Sequence, residues 1–308
     1  MKAIALINAA AGVAAGGDRV AVAGEELRAA GLKPEIRPVQ GTDLERAARD
    51  AAAQKPDVVI VGGGDGTVST AARALVGTRI PLGVLPFGTL NHFARDVGIP
   101  PRPEHAARLI ADTLRATSGA SIAGGAPGRV CDVDVGEVNG RVFLNNASIG
   151  LYPHIVSKRQ RQQDRLGRNK WVAMLVAFAS VFRRYPMVKV VVDTGDAALP
   201  RTTPFVFVGN NRYEMSGFAA GSRARLDAGS LSLYLAHRTG RFGLLLLALR
   251  VLVGRLDQAA EFESMDLAAF RVETPKKTLK TALDGEVVRL VPPLEFRVRP
   301  RALRVVAP

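Results

Sequence analysis

Asp57-Val58-Val59-Ile60-Val61-Gly62-Gly63-Gly64-Asp65-Gly66-Thr67-Val68-Ser69 is the stretch on which the reading of this chain turns. The run 57–61 reads as a buried strand, and a helical pattern follows the glycines. Strand, glycine turn and helix N-terminus together make a phosphate site. Glycine lets the backbone approach a ligand, and the unpaired N–H groups that open the helix point at an anion with the macrodipole behind them. Asp65 is the odd element, because a bare phosphate would be repelled by it. Its presence suggests either a structural hydrogen bond to nearby N–H groups or a magnesium ion between the carboxylate and a polyphosphate. That favours a nucleoside triphosphate over a dinucleotide.

Other phosphate turns fit these residues poorly. A P-loop requires Lys-Ser/Thr after the second glycine, and Gly66 is followed by Thr67-Val68. A dinucleotide fingerprint starting at Gly62 and Gly64 requires glycine where Thr67 stands. The plain alternative is a turn that merely joins a strand to a helix, which four glycines within positions 62–66 make hard to sustain.

The 308 residues suffice for two domains, each with its own core. The single Cys131 excludes an internal disulfide framework, and His92, His105, His154 and His237 show no metal-ligand spacing. A reducing compartment fits. Met1-Lys2 runs straight into a short apolar stretch that reads as a first strand rather than a signal sequence, so a cytoplasmic location is expected. With 42 Lys and Arg against 28 Asp and Glu, the net charge is +14 and the pI about 10.6, which calls for an anionic partner. Nucleic acid is disfavoured, since 6% aromatic content with one Trp offers no stacking stripe among the basic residues.

Along the first 128 residues, short apolar runs alternate with helical patterns, the mark of βαβ units and a parallel sheet. Strands are expected at 3–8, 34–39, 57–61 and 81–85, and helices near 19–30, 43–54, 68–76 and 103–116. The Gly/Ala/Ser stretch 119–128 then reads as a boundary between an α/β domain, 1–128, and a β-rich domain, 129–308, whose last residues are free to pack back on the first. The second domain is expected to be mostly antiparallel. Its strands are placed at 131–138, 141–147, 188–193, 205–209, 231–236, 270–274, 280–283, 287–291 and 295–299, with helical stretches at 169–184 and 242–256. The apolar core of the latter helix is too short for a bilayer span. Asp284-Gly285 between two β-type segments is by itself a hairpin-turn signal.

A second glycine turn, Pro86-Phe87-Gly88-Thr89-Leu90-Asn91-His92-Phe93-Ala94-Arg95, also follows an apolar strand. In an open parallel sheet ligands collect beyond the carboxyl ends of the strands, which sets Gly88, Thr89 and Asn91 beside Gly63 to Thr67. Thr89 suits donation to a phosphate oxygen and Asn91 suits positioning a phosphate or anchoring the loop. Either residue would equally serve as a helix N-cap.

These two turns, the strand end Asn145-Asn146-Ala147-Ser148-Ile149-Gly150 and the late Leu283-Asp284-Gly285-Glu286 together resemble the soluble bacterial diacylglycerol kinases and related lipid kinases, whose catalytic domain is shared with sphingosine kinases. The glycine turn alone also resembles NAD kinases. The resemblance implies a nucleotide-binding α/β domain and a β-sandwich-like second domain, with ATP and a lipid between them. It implies that Gly63, Gly64, Asp65, Gly66, Thr67, Val68, Ser69 and Thr89 bind ATP; the carboxylate among those glycines is read as holding Mg2+, directly or through water. It further implies that Asp284 takes the proton from the lipid hydroxyl and that Glu286 supports Asp284 or the metal network. Departures are visible: Ala9 and Pro38 stand where relatives carry proline and threonine, and Ala228 replaces an acidic ligand of a structural magnesium.

Residues 158–170 hold a dense basic run with one acid, suited to an anionic membrane surface, although a solvated loop explains it equally well. The reading is therefore an ATP- and magnesium-dependent lipid kinase, peripheral to the membrane and compatible with a homo-oligomer. Its rivals are a kinase of a soluble substrate, of the NAD kinase type, and an inactive lipid- or nucleotide-binding homologue.

Overall fold

The computed structural model describes residues 1–9, 18–118, 128–150, 187–214, 221–236 and 262–308. The basic run 158–170, both helical stretches at 169–184 and 242–256, and most of the 119–128 stretch lie outside the described residues. The chain divides into two compact units, Met1–Val135 with Pro300–Pro308, and Gly136–Arg299.

The first unit is built from β1 (Ala3–Asn8), α1 (Arg19–Ala29), β2 (Glu35–Val39), α2 (Leu44–Ala53), β3 (Val58–Gly63), α3 (Asp65–Leu75), β4 (Leu82–Pro86), α4 (His92–Val97) and α5 (Pro103–Thr117). Its strands run parallel in the order β2-β1-β3-β4. The central ones, β1 and β3, are apolar along their length because helices cover both faces of such a sheet. Ile4 to Ile7, Val58 to Val61, Leu82 and Leu85 are buried with Leu27, Leu44, Leu75 and Ile110 from the helices. Helix starts follow local chemistry: Asp18 caps α1 by accepting from Val20 and Ala21 N–H, and α5 opens on Pro103.

The second unit contains the end of β5 (Arg129–Val138), then β6 (Arg141–Phe143), β7 (Asn146–Gly150), β8 (Val188–Asp193), β9 (Ala198–Thr203), β10 (Phe205–Asn210), β11 (Leu231–Ala236), β12 (Phe262–Leu267), β13 (Ala269–Glu273), β14 (Leu279–Leu283), β15 (Glu286–Leu290) and the start of β16 (Leu294–Ala307). One antiparallel sheet has the order β12-β11-β10-β7-β14-β15; in another layer β16, β13, β8 and β9 pair in turn. Here alternation replaces continuous apolar runs. Val188, Val190 and Val192 join Val206, Val208, Leu231, Leu233, Phe270, Val272, Leu283 and Phe296 in one core, with the Phe270 and Phe296 rings stacked at 4.9 Å. An α/β sheet and an antiparallel β unit are thus both present.

Several boundaries differ from the sequence expectations for physical reasons. Helix α3 begins at Asp65, not at 68, so Asp65, Gly66 and Thr67 are its first turn rather than a loop before it. The expected strand 141–147 is two strands, since residues 144 and 145 turn aside to bind Asp284. Strand β16 runs past 299 to Ala307, and Arg301 within it, at φ 50°, breaks the in-out alternation in the manner of a bulge. Buried positions therefore shift from Leu294, Phe296 and Val298 to Leu303 and Val305. The buried Asp134 carboxylate accepts the Arg301 N–H at 2.8 Å. The polar edge strands β9, with Pro200, and β12, with Glu263 and Asp266, carried too little apolar signal to be expected.

Candidate active site

In the first unit the two glycine turns meet. They leave adjacent parallel strands β3 and β4, in register from Val59↔Leu82 to Gly63↔Pro86, and Phe87 N–H bonds Gly63 C=O at 3.0 Å. The backbones then touch: a Cβ on Gly88 would lie 2.6 Å from Gly64 Cα and 2.5 Å from Asn91 Oδ1. Glycine at 88 is thus fixed by the packing of the turns themselves. Gly88→Ala should cost roughly 1–3 kcal/mol and lower the melting temperature in a thermal scan.

Asp65 ties the turns together. Its Oδ1 accepts the Phe93 N–H at 3.2 Å, the structural hydrogen bond that the sequence left open, and it is half-buried at the first position of α3. Asn91 is the loop anchor. Its Oδ1 accepts from Gly88 N at 3.0 Å, its Nδ2 donates to Gly88 O at 2.8 Å, and it makes no side-chain cap although it precedes α4, in the left-handed region at φ 46°. Thr89 is exposed at the tip of this turn.

Residues 67–69 contribute differently from 64–66. Val68 and Ser69 are buried on the inner face of α3, and Thr67 is 7% exposed with its Oγ1 accepting from Asn8 Nδ2 at 3.0 Å. What these three can offer a ligand is backbone, not side chain. Gly63 is closed in by Thr67, whose Cβ would lie 2.5 Å from an added methyl. Gly64, the N-cap of α3, supplies no side-chain cap, and Gly66 is exposed with nothing within 4 Å of an added Cβ. The N–H groups of Asp65, Gly66 and Thr67, which precede the first intrahelical bond at Val68, therefore have no intrahelical carbonyl to pair with, at a positive helix end. That site fits the phosphates of a nucleotide. No cluster of three or more potential metal ligands occurs among the described residues; at this helix start Asp65 is the carboxylate that would hold a magnesium ion together with a nucleotide's own phosphates.

In the second unit Asp284 and Gly285, at φ 48° and 85°, form the expected hairpin turn between β14 and β15. The Asp284 carboxylate reaches across to the peptide segment before β7. Its Oδ2 accepts Leu144 N–H at 2.8 Å, and its Oδ1 accepts Asn145 and Asn146 N–H at 2.7 and 3.1 Å. Glu286 is exposed on the first residue of β15. Behind the segment lies a polar cluster of Asn145, which the sequence marked only as part of a motif, with Asn210, Tyr213 and Arg223, which it did not single out. The paired asparagines Asn145-Asn146 and Asn210-Asn211, both at strand ends, were the available signal. Nearby, burial pushes the Tyr234 phenol above its usual range, opposed by the N–H it accepts from Tyr213.

An uncapped helix start at the carboxyl edge of a parallel sheet is joined in one chain to an antiparallel β unit that presents a gripped Asp-Gly turn, which makes this a two-unit α/β–β protein. Residues 2–121 match the diacylglycerol kinase catalytic domain, and residues 154–307 match the YegS C-terminal NAD kinase beta sandwich-like domain. The chain belongs to the diacylglycerol kinase and YegS-like lipid kinase family. It is 28% identical over 272 residues to a diacylglycerol kinase of Mycobacterium tuberculosis, covering 86% of this chain and 82% of that one. It is 36% identical over 143 residues to a Pseudomonas aeruginosa protein described as "Probable lipid kinase YegS-like", covering 46% and 42% of the two chains. A crystal structure of a diacylglycerol kinase from Bacillus anthracis shares the fold at a TM-score of 0.67 and 20% identity, over 100% of this chain and 97% of that one. No helix among the described residues is long and apolar enough to cross a membrane.

Proposed function

We propose that this protein transfers the γ-phosphoryl group of ATP to a hydroxyl of a lipid of the diacylglycerol type, with magnesium. The observation that carries the nucleotide half is the open N-terminus of α3 at the junction of two glycine turns. The N–H groups of Asp65, Gly66 and Thr67 bind phosphate oxygens, and the Thr89 hydroxyl donates to another. Magnesium, held by Asp65 and the phosphates, neutralises charge on the transferring group. Asp284 accepts the proton of the lipid hydroxyl, its orientation fixed by three N–H donors, and the exposed Glu286 supports it. Positioning and electrostatics supply most of the rate, since phosphoryl transfer leaves a protein little covalent work. The basic run 158–170 draws the protein to the anionic inner face of the membrane, where its substrate resides.

A second reading draws on the same three bonds, because a carboxylate can clasp a hairpin without moving a proton. On that reading the chain binds nucleotide or lipid without turnover. The deciding experiment is phosphate transfer from labelled ATP to a panel of detergent-dispersed lipids, with and without magnesium, alongside Asp65→Ala and Asp284→Asn. Labelling of one lipid class that requires magnesium and both carboxylates is expected. ATP binding with no lipid labelled would overturn the kinase reading in favour of the second.

A further inference from the structure

Arg223 is 4% exposed in the second unit, in a place where a cation needs strong compensation. Its Nη1 donates to Leu144 C=O at 2.7 Å and to Asn210 C=O at 3.0 Å. Its Nη2 donates to Asn145 Oδ1 at 2.7 Å, and its guanidinium lies 5.5 Å from the centre of the Tyr213 ring. The first of these bonds matters most. Leu144 C=O and Asn145 N–H are the two ends of one peptide group, and Asn145 N–H is the shortest of the three donors to Asp284, at 2.7 Å. A guanidinium on the oxygen and a carboxylate on the hydrogen pull the same peptide in the same sense, so each bond strengthens the other.

The next peptide repeats the arrangement with neutral donors. Asn145 C=O accepts from Tyr213 OH at 3.1 Å and from Asn210 N–H at 2.9 Å, while Asn146 N–H, at its other end, donates to Asp284 Oδ1 at 3.1 Å. Asn210 Nδ2 adds a second donor on Leu144 C=O at 2.9 Å. Two of the three donors that grip Asp284 are therefore themselves held from behind, by a charge and an amide in one peptide and by a hydroxyl and a backbone N–H in the other.

We infer that Arg223 is a positioning residue for Asp284, acting through the Leu144–Asn145 peptide group, with Tyr213 in the same role through the Asn145–Asn146 peptide. The inference rests on the reading of Asp284 as the base. A loosely held segment would let the carboxylate drift from the reacting hydroxyl, and a misplacement of about 1 Å can cost roughly a hundredfold in rate.

The test uses the full chain and the variants Arg223→Gln, Arg223→Lys and Tyr213→Phe, with labelled ATP and dispersed diacylglycerol. It adds amide spectra of protein labelled with nitrogen-15 asparagine, whose eight residues include both Asn145 and Asn146. Arg223→Gln is expected to lower kcat roughly ten- to a hundredfold with KM for ATP unchanged, and to move the Asn145 amide proton upfield. Arg223→Lys should restore part of kcat, because it returns a charge without the fork. Tyr213→Phe retains the ring beneath Arg223 and keeps the test alive should Arg223→Gln fail to fold; it should move the Asn146 signal and lower kcat by less. Folded variants with unchanged kcat and unmoved amide signals would overturn the inference. Asp284→Asn run in parallel separates the two claims: if it is fully folded yet inactive while the Arg223 and Tyr213 variants are normal, the base reading stands and only the positioning role falls. If Asp284→Asn turns over normally, the base reading fails and this inference fails with it.

Discussion

Asp284→Asn is expected to lower turnover roughly 10² to 10⁴-fold, the range of a general base, in a protein that still folds. Asparagine suits the turn, since Asn-Gly is a preferred pair where both central residues have positive φ, as residues 284 and 285 do. The damage falls on the carboxylate alone. One amide oxygen replaces two carboxylate oxygens, and the new NH2 faces a backbone N–H, so at least one of the three bonds from Leu144, Asn145 and Asn146 is lost. The loss should cost about 1–3 kcal/mol, enough to lower the melting temperature without unfolding the chain at assay temperature. Turnover must therefore be measured beside a thermal scan. A fall in kcat at temperatures where the variant is fully folded marks a lost proton acceptor. A loss of activity that merely tracks the unfolding curve would reduce Asp284 to a clasp.

What the sequence disclosed and what it hid divide along the range of the interactions. Strands β1, β3 and β4 were legible because burial on both faces demands unbroken apolar runs, and the helix starts at Arg19 and Pro103 because Asp18 and proline mark them locally. The Asp284 turn was legible for the same reason: two adjacent residues specify it. The partners of Asp284 were not, because Leu144 lies 140 positions away and contributes only a backbone N–H, which no side chain advertises. Asp65 shows the same limit. Its two readings, metal ligand or structural acceptor, could be listed from the sequence, but the Phe93 N–H that it accepts comes from 28 residues on. The bulge at Arg301 was hidden for a third reason. A one-residue shift of phase looks like the end of a strand unless the buried Asp134 that absorbs it is known to lie opposite.

Gly66→Ala separates the needs of the fold from those of a ligand. Glycine at 88 is required by its neighbours, and Gly63 is walled in by Thr67, so losses on substituting either would report packing. Gly66 has no such neighbour: it is exposed, helical, and open for 4 Å around the place a methyl would occupy. Alanine there should leave the melting temperature unchanged or raise it, since it favours a helix over glycine by about 0.5–1 kcal/mol. Yet the new methyl projects beside the N–H groups of Asp65, Gly66 and Thr67, where the proposed phosphates must come within hydrogen-bonding distance of the backbone. ATP affinity, measured by titration calorimetry, should fall at least about tenfold, because a steric block at such an anion site removes at least one charge-assisted bond, worth roughly 1.5–3 kcal/mol. Greater stability with weaker ATP binding would mean that glycine is kept at this position for the nucleotide at some cost to the helix. Unaltered ATP affinity would move the phosphates away from the start of α3.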